Sequence, residues 1–158
     1  MTDIYVPIDY SNLRAIIPPG EDIIYSTLCT AKIRTSSGIM IGYVRFTIKK
    51  WNTHVLMTPN GFAYIDGRYN PPQAFYDDWY NVWTITKRRI MYESGGGLHF
   101  IVKPDNKYES SAEFRIRLKN FVPTIRPILE ARKKEWELLF PNKRERKKKA
   151  WERHSMLV

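Results

Sequence analysis

Two groups of basic side chains in this 158-residue chain have the spacing to grip phosphate. Lys32, Arg34, Arg45, Lys49 and Lys50 flank a turn signal at Ser36-Ser37-Gly38. Several cations beside one turn can give charge-assisted hydrogen bonds to phosphate oxygens. Further on, Lys143, Arg144, Arg146, Lys147, Lys148 and Lys149 are broken only by Glu145. Each basic group held near an anionic leaflet contributes about 1 kcal/mol, and nucleic acid attracts such a run equally. The plainer readings are the wet face of an amphipathic hairpin for the first group and a solvated continuation of a helix for the second.

Residues for bond-making chemistry are not arranged for it. His54, His99 and His154 lie far apart with no Cys or carboxylate at ligand spacing, so no metal site is expected. Asp77 and Asp78 are adjacent, which on a strand points them to opposite faces and spoils them as a paired acid and base. Gly95-Gly96-Gly97 lacks both phosphate-cradle patterns and opens no helix, so it reads as a hairpin loop beside Lys87-Arg88-Arg89. Cys29 falls on an apolar strand face and reads as core. The expectation is a binding protein with no catalytic residues, no cofactor and no metal.

A third candidate is aromatic. Tyr76, Trp79, Tyr80 and Trp83 place four large rings within eight residues. One strand face cannot bury them all, so Tyr76, Trp79 and Tyr80 are the expected protein-contact residues and Trp83 the expected core residue.

Composition bounds what can position these groups. A hydrophobic fraction of 43% with 14% aromatics supports a packed core. No secretory signal, no disulfide partner for Cys29 and no long apolar run are evident, which predicts a cytoplasmic chain able to sit at the membrane periphery, without a transmembrane segment. Net charge is +10, of which residues 141–158 carry +5. The expected division is a lead-in over 1–17, one domain over 18–140 and a basic extension over 141–158.

Along the chain, Pro18-Pro19-Gly20-Glu21 ends the lead-in. From Ile23, one face carries Tyr25, Cys29, Ala31 and Ile33, the other Ser26, Thr30, Lys32 and Arg34. A returning strand runs from Ile39 to Ile48, Trp51-Asn52-Thr53 punctuates a turn, and strands 54–58 and 62–66 flank Thr58-Pro59-Asn60-Gly61. That tetrapeptide fits a type I turn with Gly61 free for positive φ. Residues 67–74 read as loop and Tyr76-Asp77-Asp78 as a turn, with strands following at 82–86, 89–93 and 98–103. Phe114, Ile116 and Leu118 alternate with Arg115, Arg117 and Lys119, which predicts a last strand. A helix is then expected from an N-cap at Thr124 to about Phe140, placing Pro127 in its first turn.

Strands in series closed by one helix resemble a pleckstrin-homology-like domain, a mostly β, α+β seven-stranded antiparallel sandwich or barrel capped by a C-terminal helix. Residues 18–25, with their Pro-Gly-Glu, resemble the lead to the first strand in the GRAM and GLUE branches. Residues 55–64 resemble their strand–turn–strand segment, and 114–121 their last strand. The resemblance implies binding without catalysis, to anionic membrane lipid or to a protein such as ubiquitin, as in trafficking assemblies. Family lipid sites use a Lys-x(n)-[Lys/Arg]-x-Arg pattern on the first hairpin; here Arg45 is followed two positions later by Thr47. The alternative is a basic nucleic-acid-binding protein.

Overall fold

The computed structural model describes residues 3–4, 10–36, 46–92, 97–104 and 109–156. The first-hairpin turn with Arg45 and most of the Gly95-Gly96-Gly97 loop lie outside the described residues, as do the side chains of Arg34, Trp83, Trp151 and His154.

Seven antiparallel strands form one curled sheet, with a helix following at the C-terminal side; in general shape this is consistent with a pleckstrin-homology-like fold. The strands are β2 (Tyr25–Ser36), β3 (Phe46–Met57), β4 (Gly61–Asp66), β5 (Gln73–Asp78), β6 (Val82–Thr86), β7 (Arg89–Tyr92) and β8 (Leu98–Val102). Their order across the sheet is β5-β4-β3-β2-β8-β7-β6. A two-residue strand β1 (Asp3–Ile4) runs parallel to β3 beside Lys50 and Trp51. Helix α1 (Tyr10–Ala15) packs on β3, β4 and β5 with Leu13 fully buried. The described residues of the lead-in are therefore part of the fold rather than irregular.

β2 and β3 pair without interruption from Tyr25↔Met57 to Ser36↔Phe46. The expected turn at Trp51-Asn52-Thr53 is absent, yet those residues do mark a change. The β3–β4 ladder holds only Leu56↔Ala63 and Met57↔Phe62. Beyond it, the Trp51 indole donates to the Ile65 carbonyl at 2.7 Å, and Thr53 Oγ1 accepts from the Ile65 amide at 2.8 Å. Two side chains thus satisfy backbone groups that the ladder leaves open.

β5 corrects a second expectation, since residues 73–78 pair with β4 along its whole length. Phe75 to Asp78 are all buried, so no alternation announces a strand. Two aspartates inside the fold are stable only because each is bonded. Asp77 accepts from the Tyr92 hydroxyl, from Asn81 Nδ2 at 2.7 Å and from the Asp78 amide at 2.8 Å. Asp78 caps the 3-10 turn Trp79–Asn81 through the Tyr80 amide and receives Arg132 at 2.8 Å.

The Thr58–Gly61 turn also differs from the expected form. Thr58 N–H donates to Gly61 O at 2.8 Å, while the Thr58 carbonyl accepts from the Trp79 indole at 2.7 Å. Gly61 is not in the positive-φ region; Gly20 is, at +87°. Glycine is needed at 61 for space, because a Cβ there would lie 2.1 Å from the Asp77 carbonyl oxygen. Gly20 turns the chain so that Glu21 Oε1 accepts from Thr58 Oγ1 and the Tyr76 hydroxyl, both at 2.6 Å. The Pro-Gly-Glu segment and the Thr58 turn therefore meet in space.

The last expected strand is instead the start of a helix. Helix α2 runs Ser111–Leu139, and Ser110 Oγ caps it by accepting from the Glu113 amide at 3.1 Å. Phe114 and Leu118 are one turn apart and partly buried, whereas Ile116 is 62% exposed. An i,i+4 pair plus one exposed isoleucine imitated strand alternation. Pro123 and Pro127 sit inside α2 four residues apart, both exposed. Arg117 is a bridge rather than surface: it binds Glu109 at 2.9 Å, the Lys103 carbonyl at 2.8 Å and Thr27 Oγ1.

The core joins the rings of Phe62, Tyr64, Trp79, Tyr92 and Phe100 to Phe121, Ile125 and Leu129 of α2. Burial above all, then nearby negative charge, pushes the hydroxyls of Tyr64, Tyr92 and Tyr76 well above the tyrosine value of 10.0. Their folded pKa values are raised, so the stability they contribute is complete below about pH 10 and falls as the pH climbs from the unfolded toward the folded value. Alkaline titration of tyrosinate absorbance is expected to show these rings ionising only with unfolding. Ionisation of every tyrosine near its ordinary value in the folded chain would contradict this packing.

Candidate anionic-surface site

Of the three sequence-level candidates, the first hairpin is only partly described. Register sets Lys32 opposite Lys50 on one face, and Lys49 opposite Ile33 on the other, core-side face. The described bases therefore do not converge as one set. The aromatic candidate is displaced: Tyr76 and Trp79 are 1% and 0% exposed, and Tyr80 stacks on Trp136 at 4.8 Å. Close pairing of β4 with β5 draws these rings inward, so the exposed patch expected at Tyr76 and Trp79 is absent.

The C-terminal run is tied to the body by a latch whose main members are Asp78, Tyr80, Arg132, Trp136 and Arg146. Arg132 on α2 reaches Asp78 through Nε and Nη2, and Glu135 at 3.0 Å. Its guanidinium lies 5.9 Å from the Trp136 ring, which is buried beneath Tyr80 and meets Phe140 at 5.3 Å. Desolvation is the largest single influence and would lower the Arg132 pKa, but the hydrogen bonds and charges of Asp78 and Glu135 together outweigh it and hold the guanidinium above its ordinary value. Arg146 then closes the corner, donating to the carbonyls of Phe140 at 2.8 Å and Pro141 at 2.9 Å and to the Tyr80 hydroxyl at 3.4 Å. A cation on carbonyls at a helix C-terminus also complements its dipole.

Beyond this corner, helix α3 spans Lys143–Met156. Asn142 caps it, its Oδ1 accepting from the Arg144 amide at 2.8 Å, and Ala150 is buried where α3 packs on the body. Five of the six tail bases, Lys143, Arg144, Lys147, Lys148 and Lys149, are exposed, whereas Arg146 turns inward. Among the described residues no ion pair engages Lys143, Arg144, Lys147 or Lys148. Lys143 with Lys147, and Arg144 with Lys148, lie one helical turn apart, so the cations form two adjacent rows.

The latch residues were missed in the sequence because no local pattern ties positions 78, 80, 132, 136 and 146 together. Pro141-Asn142 before a charged run was the one visible sign of a new helix start. Among the described residues no three His, Cys, Asp or Glu side chains gather as a metal site, and no helix is long and apolar enough to cross a membrane. Neither a protein-family model, nor a curated protein, nor a solved structure matches the chain.

Proposed function

We propose that this chain is a non-enzymatic binding module that docks on anionic membrane surfaces through the exposed bases of α3. The observation carrying this reading is the sorting of the tail: Arg146 turns in to the corner, while Lys143, Arg144, Lys147 and Lys148 face water without described carboxylate partners. Four unpaired cations at about 1 kcal/mol each give useful attraction to an acidic leaflet, reaching roughly a Debye length of about 10 Å at 0.1 M salt. A helix held on a folded body presents those charges at a lower ordering cost than a loose tail would. The curled sheet with its C-terminal helix supplies the rigid body, in keeping with the pleckstrin-homology-like shape.

Single-stranded nucleic acid would want exposed aromatic platforms beside the bases. Among the described side chains, the rings nearest α3 are instead committed, Trp136 being buried and Tyr80 stacked on it, which favours a lipid surface. Co-sedimentation should find the chain on phosphatidylserine-containing vesicles but not on pure phosphatidylcholine, with binding falling steadily as salt rises. Tighter binding to RNA than to acidic vesicles at matched salt would overturn the reading in favour of nucleic acid. Equal binding to neutral and acidic vesicles would remove the electrostatic basis altogether.

A further inference from the structure

Leu138 and Leu139 are 82% and 61% exposed in the last turn of α2. They stand directly before the Phe140–Asn142 corner that launches the basic rows of α3. We infer that this leucine pair is a membrane-insertion knuckle, entering the hydrocarbon edge of an anionic bilayer while Lys143, Arg144, Lys147 and Lys148 engage the headgroups. The inference rests on the proposed surface binding and adds to it a second, apolar component.

Three observations single out a lipid occupant. The leucines do not fray loosely: Trp136 is buried, the Phe140 amide donates to the Trp136 carbonyl at 2.8 Å, and Arg146 pins the next two carbonyls. Two adjacent large aliphatic side chains left in water on a pinned helix end mark a contact surface. Charge then selects the partner. Lys134 lies one helical turn before Leu138 and the exposed bases of α3 begin four residues after Leu139, against the exposed carboxylates of Glu137 and Glu145, Glu135 being paired with Arg132. A second copy of a chain with net charge +10 would bring like-charged rows together, whereas an acidic bilayer offers both an apolar interior and negative headgroups.

The test uses the full chain with two kinds of variant on phosphatidylserine-containing vesicles. Leu138→Ser with Leu139→Ser removes apolar surface only, so the thermal melt should be unchanged. Binding at low salt should persist through the cations, but affinity should fall about tenfold, the loss being greatest at high salt where hydrophobic contact remains unscreened. In parallel, Leu138→Cys accepts a polarity-sensitive fluorophore, Cys29 being fully buried and protected. On vesicles its emission should shift blue and be quenched by acyl-chain quenchers. If the vesicles bind but the label stays water-exposed and the serine variant binds equally well, the knuckle is refuted while surface binding stands. If the parent chain binds no vesicle, both fall together. Self-association abolished by the serine pair would assign the leucines to a second copy instead.

Discussion

Replacing Arg132 with alanine is expected to destabilise the fold by about 3–5 kcal/mol, the range for breaking a buried ion pair from one side. The Asp78 side chain is 0% exposed and that of Arg132 10%, so the orphaned carboxylate cannot recover its solvation. Removing both charges with Asp78→Asn and Arg132→Met should cost much less, because no uncompensated charge then remains. Urea unfolding of the two single variants and the double variant measures the coupling directly. A loss below about 1 kcal/mol for Arg132→Ala would place the pair among weakly contributing surface bridges. The same variant should loosen the corner, since Arg132 lies over Trp136 and Trp136 supports Tyr80, the partner of Arg146.

Gly61→Ala is expected to cost about 3 kcal/mol, at the upper end for overpacking a rigid interior. The added methyl would meet the Asp77 carbonyl oxygen at 2.1 Å and the Tyr76 ring at 2.8 Å. Backbone on one side and a ring locked to Glu21 and Thr58 on the other leave little room to yield. Gly20→Ala provides the contrast, because nothing lies within 4 Å of a Cβ there and only the φ of +87° resists. That change should cost roughly 1–2 kcal/mol, the ordinary penalty for a left-handed residue. Equal losses at the two glycines would contradict the assignment of one to space and the other to backbone conformation.

Much of the fold was legible in the sequence, and its gaps have physical causes. The faces of β2 were readable because Cys29 and Ala31 are buried while their neighbours are wetter, a true period of two. β5 was hidden since Phe75, Tyr76, Asp77 and Asp78 are buried on both faces, the aspartates stabilised by partners distant in sequence. The α2 start was obscured by an accidental alternation, although Ser110 followed three residues later by Glu113 is a helix-start signal in plain sight. Gly61 was identified as a turn glycine, but its reason, a close approach across β4 and β5, is a tertiary fact. At the candidate site the basic run was obvious. Its division into one inward arginine and outward bases depends on Tyr80 and on α2's terminal carbonyls, which no local window contains.

That division is the central claim, and a vesicle-partition measurement tests it most directly. The chain carrying Lys143→Gln, Arg144→Gln, Lys147→Gln and Lys148→Gln is compared with the unaltered chain on phosphatidylserine-containing vesicles at fixed moderate salt. These side chains are exposed and outside the latch, so the melting temperature should stay within a few degrees. Partitioning should fall about a hundredfold, a screened share of four headgroup contacts. Undiminished partitioning by the four-fold variant, with its fold intact, would contradict the account.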